Sequence, residues 1–280
     1  MTSKSEKIKE AVRRARTSRD RLTQKQEEEL HGVLAGASVR VKEELTRFEE
    51  LAPFDSGKAV RLAHLKALKS NIDRISGELS EGLTSFAPNQ GEEAFKLGIR
   101  DGVGELKTLN VPNYVDIKTE QTDALVSAIF SQVDKDALDF IVKYRLELMG
   151  DVAEKLKEEI KNRIAAGITA GKSTTEIVRE IGGVITDPDK FRRAGKTVFK
   201  SAQQRLTLIC RTETNRAHNV GRIKFYEKAG VKRVQWWAAL DARTCPVCEG
   251  CHGKRFELSA LEPPPIHPRC RCSIIADMNA

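Results

Sequence analysis

No apolar run in this 280-residue chain approaches the length of a membrane span, so it is not read as crossing a bilayer. Nor does it open on an apolar h-region, since Met1 to Glu10 is polar and charged. That predicts a reducing compartment, where cysteines stay as thiols or bind metal rather than pair. Aromatic residues make up only 5% of the chain, so a platform for stacking nucleobases is not indicated. Proline is absent before Pro53, and there is no internal repeat and no low-complexity run. Several signatures of chemistry are missing as well. There is no His-Glu-x-x-His of a metalloprotease. The zinc-deaminase pattern fails twice, because His218-Asn219-Val220 lacks the glutamate and Pro246 follows the first cysteine instead of preceding it. A DNA-reading zinc module would want a recognition helix after its ligands, and only eight residues follow Cys272.

What the chain does have is charge and, near its end, soft metal ligands. With 40% hydrophobic and 31% charged residues it reads as helix-rich, with room for one large domain or two smaller ones. The formal charge is +8, and one stretch more than accounts for it. Between Phe191 and Arg233 stand twelve Lys and Arg residues, Arg192, Arg193, Lys196, Lys200 and Arg205 among them, against only Glu213 and Glu227. Such a run is either a solvated helix face or a surface for a phosphate backbone, and in the second case the contact would be blind to sequence.

The ligands lie between Asp241 and Cys272. Cys245-x2-Cys248 lets two thiolates point at one ion from a tight turn, and His267-x2-Cys270 arrives eighteen residues later to complete a tetrahedron, which suits a structural zinc. Cys272 is a fifth candidate and an alternative fourth ligand. The competing readings are reduced thiols in a core and a redox dithiol; neither explains the His267/Cys270 pair in the same short stretch.

Along the chain, the capping-box spacing of Ser3-Lys-Ser-Glu6 and an Arg-, Lys-, Glu- and Ala-rich segment without proline predict a helix from the start to about Leu51, with Leu30, Val33, Leu34, Val41, Leu45 and Phe48 as a broken apolar stripe. Leu65, Leu68, Ile72, Ile75 and Leu79 form a second seam, closing as an antiparallel hairpin on the first helix in preference to a coiled coil with a partner. Gly77 to Asn113 is punctuated by Gly and Pro and reads as loops around one helix at 90–100. Two amphipathic helices are expected over Thr119–Phe130 and Asp136–Met149, another from Asp151 to about Ala166, and a short one after the capping box Ser173-Thr-Thr-Glu176. A long basic helix is expected over Phe191–Ala229, then a strand within Val231–Leu240 and short strands at Lys254–Leu258 and Ser273–Ala276. The fold class is therefore mainly α, helical in its N-terminal half, with a small β and zinc-knuckle region at the C-terminus (α+β).

Several blocks in order match a known pattern: Arg211-Thr-Glu213-Thr-Asn215-Arg-Ala217, Gly221-Arg222, Trp237, Asp241-x-Arg243-Thr-Cys-x-x-Cys248, Gly253-Lys-x-Phe256 and Pro-Pro-Ile-His267-Pro-x-Cys-Arg-Cys272. From about Asp151 to Ile275 the chain resembles the Mu F-like phage head morphogenesis family, minor head proteins of tailed phages and prophages. The resemblance implies a Mu F-like domain over 151–280 ending in the knuckle at 241–272, which leaves 1–150 as a separate helical region, read as a portal- or partner-docking or coiled-coil segment. It implies a non-enzymatic role inside the procapsid near the portal, with phage portal and procapsid proteins as partners and double-stranded DNA as a sequence-independent contact. The place is the capsid interior of the virion, and the bacterial host cytoplasm during assembly. Cys251 and His252 are additions to the family's pattern. No catalytic residue is assigned. Arg211, Glu213, Asp241 and Arg243 are read as a structural motif, with Arg211 clamping Asp241 and Glu213 meeting Arg243 or supporting the ligands. The rival reading is a zinc-dependent nuclease that uses the Arg-Thr-Glu block; five good ligands competing for four positions leave its activated water no place.

Overall fold

The computed structural model describes residues 4–51, 58–132, 154–167, 191–193, 196–199 and 202–277, with isolated positions at 148, 151, 170, 176, 179 and 180. Three long helices carry the chain: α1 (Lys4–Leu51), α2 (Lys58–Thr108) and, later, α5 (Ala202–Lys228). Between them come α3 (Thr119–Gln132), α4 (154–167) and the strands β1 (Phe191–Arg193) and β2 (Lys196–Phe199). After α5 follow β3 (Arg233–Trp237), the one-and-a-half-turn helix α6 (Pro246–Cys251), β4 (Arg255–Glu257) and β5 (Ser273–Ala276). The chain is thus mainly helical with a small antiparallel sheet toward its end. No helix among the described residues is long and apolar enough to cross a membrane. Contacts divide the chain into two compact units, one of Met1–Gln26, Pro88–Lys143 and Cys210–Ala280, the other of Glu27–Ala87 and Tyr144–Ile209.

In the second unit the apolar seams close as the expected hairpin. Leu30, Leu34, Val41, Leu45 and Phe48 of α1 are buried, as are Leu68, Ile72, Ile75 and Leu79 of α2. Arg40 reaches Glu78 at 2.6 Å and Asn71 donates to Glu44 at 2.7 Å, pairs whose numbers run in opposite directions along the two helices. On α4, Leu156, Ile160 and Ile164 are buried at the same three-to-four spacing, and Lys161 pairs with Asp73. His31 meets Thr207 Oγ1 at 3.2 Å. Each buried Leu or Ile contributes roughly 1.5–3 kcal/mol of transfer free energy before the entropy of ordering it is counted.

Two expectations fail here. Where loops were expected over Gly77–Asn113, α2 runs unbroken to Thr108, through Pro88 and six glycines. Packing is the reason, because tertiary contacts override helix propensity. The first unit shows it at Gly98, where a Cβ would lie 2.0 Å from the His218 carbonyl oxygen of α5, and at Gly221, where one would lie 2.1 Å from that of Phe95. The two helices cross backbone to backbone, and only glycine permits the approach. The basic segment also does not begin as a helix. Phe191–Arg193 pairs antiparallel with Lys196–Phe199, Arg193 opposite Lys196, and the helix starts at Ala202. Thr197, Val198 and Phe199 are β-formers, and a charge count is silent about that preference. The expected helices at 136–149 and after Ser173 lie outside the described residues or touch only isolated positions in them.

The core of the first unit gathers Phe95, Ile99, Val103 and Leu106 from α2, Val126 and Ile129 from α3, Phe225 and Tyr226 from α5, Val234 from β3 and Ile274 from β5. The strands order β4-β3-β5, with Val234 opposite Phe256 and Trp236 opposite Ile274. Side chains alternate along β3, so Val234 and Trp236 face inward while Trp237 is half-buried. All three expected strands are present.

Candidate metal centre

The ligand loop starts where β3 ends. Leu240 adopts a left-handed backbone (φ 53°), and Asp241 closes a turn by accepting from the Arg243 N–H at 2.9 Å while its own N–H donates to Thr244 Oγ1 at 3.0 Å. Arg271 meets both oxygens of the Asp241 carboxylate, bringing the two ends of the loop together. That pair holds the Asp241 carboxyl well below the usual carboxylate range, with the Arg243 backbone N–H as second cause. The turn delivers Cys245 as the N-cap of α6. Its sulfur accepts from the Cys248 N–H at 3.4 Å, and Pro246 sits at the first helical position, where a missing N–H costs nothing. The second pair turns the same way: the Cys270 N–H donates to the His267 carbonyl at 3.2 Å, with Arg269 between them left-handed at φ 64°.

The two turns converge. His267 Nε2 lies 3.2 Å from Cys245 Sγ and 3.1 Å from Cys248 Sγ, and Cys248 Sγ lies 3.7 Å from Cys270 Sγ. Bonds of about 2.3 Å to sulfur and about 2.0–2.1 Å to nitrogen place tetrahedral zinc ligands on edges of roughly 3.8 Å for S···S and roughly 3.5 Å for S···N. The observed edges fall within half an ångström of these. His267 Nδ1 faces the Pro268 carbonyl at 2.8 Å, which assigns the ring proton to Nδ1 and leaves Nε2 as the donor to an ion. The donors form two triads that share Cys248, one with Cys245 and His267 and one with Cys270 and Cys272. Cys270 and Cys272 thus both belong to the second triad, and either triad could hold a metal. Cys251 and His252 stand apart from both triads. His252 Nδ1 accepts from the Ala238 N–H at 3.1 Å, and its ring packs edge-on against Trp237.

The protons are unevenly spread. Hydrogen bonding from the Cys272 thiol brings the Cys270 thiol down to about 5, and the Cys248 N–H lowers Cys245. Burial pushes Cys248 up to about 12. Cys272 is raised by its bond to Cys270 and by burial. Burial lowers His267, but the Pro268 carbonyl and the Cys270 and Cys245 thiolates outweigh it and raise the net value. Trp236 Nε1 is buried without a conventional hydrogen-bond partner, and its N–H favours the thiolate of Cys272. A metal-bound thiolate would satisfy such an orphaned donor.

The shell behind the ligands comes from α5 and was not read from the sequence. Thr212, Asn215, Asn219, Arg222 and Tyr226 recur at three and four residues, and all are buried. Thr212 Oγ1 accepts from the Arg269 N–H at 3.3 Å; Asn215 Nδ2 donates to the carbonyls of Cys270 at 2.9 Å and Cys272 at 3.3 Å. Asn219 Nδ2 also reaches the Cys272 carbonyl, at 3.3 Å. Further along, Arg222 donates to Ser273 Oγ at 3.2 Å, to Tyr226 Oη at 2.7 Å and to Glu105 Oε2. Glu105 Oε1 in turn accepts from Tyr226 Oη at 3.0 Å and the Ala276 N–H at 2.7 Å, tying β5 to α2 and α5 through a fully buried network.

The expected clamps are built differently. Asp241 is taken by Arg271 rather than Arg211, with the exposed Arg243 guanidinium 3.9 Å away. Glu213, buried, pairs with Arg216 at 3.0 Å rather than with Arg243. Residues two apart on a helix leave in different directions, so the Arg-Thr-Glu block splits between faces, and its middle residue, Thr212, meets the ligand loop at Arg269. His218 is packed, with Nε2 2.8 Å from Asp101, and Cys210 is a buried thiol. Part of the basic surplus is paired with acidic groups. Arg205 pairs with Asp151, Arg216 with Glu213, Arg222 with Glu105 and Lys224 with Glu227. Arg192 and Arg193 lie on β1 and Lys196 on β2, while Lys200 lies outside the described residues.

No curated protein and no solved structure matches the chain. A family does. Residues 158–275, a little under half the chain, match the family described as Phage Mu protein F like protein, and the match takes in every ligand candidate and the polar face of α5. Over this segment the chain is similar to the Mu F-like family.

Proposed function

We propose that the chain is a minor head protein that acts inside the procapsid near the portal, and that a structural zinc ion held by Cys245, Cys248, His267 and Cys270 staples its C-terminal region. The convergence of His267 Nε2 and the Cys245, Cys248 and Cys270 sulfurs within 3.7 Å steps supports the staple. In this reading 151–280 is the head-morphogenesis domain and 1–150 carries the docking surface for portal or procapsid protein. The ion supplies cohesion rather than chemistry, since Cys272 stands ready to fill any position an activated water would need. Elemental analysis after gel filtration in a weak chelator should find about one zinc per chain. A folded, metal-free chain overturns the staple. A nuclease assay with Mg²⁺, Mn²⁺ and Zn²⁺ should show no cleavage; cleavage lost in a folded Glu213→Gln variant would favour the hydrolase instead.

The hairpin places Arg192, Arg193 and Lys196 close in sequence and register, which favours a second role for it with Lys200 and Arg205 as a sequence-independent DNA contact. Such binding should weaken steeply with salt, and Ser at Lys196, Lys200 and Arg205 should flatten that slope.

A further inference from the structure

We propose that Asn215, fixed by the buried guanidinium of Arg19, is the positioning residue of the metal loop, so that the first helix of the chain sets the ligand geometry at its far end. The inference rests on the zinc reading above. Arg19 lies on α1 and is 4% exposed. Its Nη1 donates to Asn215 Oδ1 at 2.6 Å, and the exposed Asp20, adjacent in sequence, lies 3.4 Å away. Burial lowers the Arg19 pKa, and Arg16 and Arg222 push the same way. A guanidinium has donors only, so the side-chain oxygen of Asn215 must face it. The carbonyls of Cys270 and Cys272 have acceptors only, so the Asn215 nitrogen must face them. The amide therefore has one orientation. Asn219 reinforces it by donating to Asn215 Oδ1 at 3.1 Å as well as to the Cys272 carbonyl.

The consequence is mechanical. The carbonyls of Cys270 and Cys272 flank the Arg271 peptide, and holding both fixes where the Cys270 sulfur points. A charged donor on one end of an amide polarises it and strengthens the bonds from the other end. Ligand sets need placement to about half an ångström, and the residues behind them supply it. Without Arg19 the amide can flip, turning its oxygen against two carbonyl oxygens.

The test uses the full chain, zinc affinity by chelator competition and the absorption spectrum of the Co²⁺-loaded protein. Asn215→Asp keeps an oxygen for Arg19 but has no N–H for the loop, and Asn215→Ala removes both. Either should lower zinc affinity about 10- to 100-fold and shift the Co²⁺ ligand-field bands, with helical circular dichroism retained. Arg19→Met should lower affinity in the wild-type background and have no further effect in the Asn215→Ala background, because it acts through that amide. Variants with wild-type affinity and Co²⁺ spectrum overturn the proposal while leaving the staple intact, even if their melting points fall. A wild-type chain that takes up no zinc overturns both.

Discussion

Each compact unit has one helix face whose inward positions share the same spacing and differ in kind, apolar in one unit and polar in the other. In the α1–α2 hairpin of one unit the inward positions are Leu30, Leu34, Val41 and Leu45 against Leu68, Ile72, Ile75 and Leu79. Along α5 in the other they are Thr212, Asn215, Asn219, Arg222 and Tyr226. The first seam holds by exclusion of water, which is non-directional and tolerates exchange of one aliphatic for another at a cost usually below about 1.5 kcal/mol. The second holds because each donor meets an acceptor. Removing one partner there strands the other in a site without water, so its losses come in larger steps. The apolar seam should fail gradually and the polar one abruptly.

Metal removal should separate the two most widely. Chelation is expected to expose 238–276 to proteolysis and hydrogen exchange while the α1–α2 hairpin stays protected, because metal binding energy is folding energy in a small loop. Equal loss of protection in both units would break the contrast. Zinc uptake at neutral pH should also release protons, since the Cys248 thiol is held up at about 12 by burial. The sign follows: ligands must deprotonate to bind, so affinity rises with pH, and calorimetry in buffers of different ionisation enthalpy reads the protons directly.

Next in size is Arg222→Ala. It leaves Glu105, 2% exposed, without the Arg222 guanidinium. Breaking a buried pair from one side costs roughly 3–5 kcal/mol, read from the shift in urea midpoint. The double change Arg222→Met with Glu105→Leu should cost much less than Arg222→Ala alone; equal cost would mean packing, not charge, dominates that network.

Glycines give the finer test. Gly98→Ala places a Cβ 2.0 Å from a backbone carbonyl of α5, so a helix must move, and a loss of about 1–3 kcal/mol or more is expected in thermal melts. Gly36→Ala in the hairpin meets nothing within 4 Å and should stabilise by about 0.5–1 kcal/mol through helix propensity. The same substitution should thus carry opposite signs in the two units. Like signs would show that helix propensity, not helix contact, governs α2.

What could be read without coordinates was chemistry confined to short spans. Two ligand pairs at x2 spacing can point at one ion from any pair of tight turns, and here His267 Nε2 lies 3.1 Å and Cys270 Sγ 3.7 Å from Cys248 Sγ. The sheet was legible for the same reason: Val234-Gln235-Trp236-Trp237 alternates faces within one strand. The apolar seams, too, declare their partner by spacing alone. The polar face of α5 does not, because Thr212, Asn215 and Asn219 at helical period look like a solvated surface. Nothing local to α2 marks Glu105 as the acceptor for Arg222, 117 residues later. Gly98 looks like a helix breaker until Gly221 is found against the same helix. Composition and spacing by themselves determined the helical class and the strands, and singled out the candidate metal ligands, each through forces acting within a few residues. Which buried polar groups meet, which charges are neutralised inside and where glycine is obligatory were decided only by tertiary structure, because hydrogen bonds and backbone contacts depend on distances between segments that no spacing along the chain records.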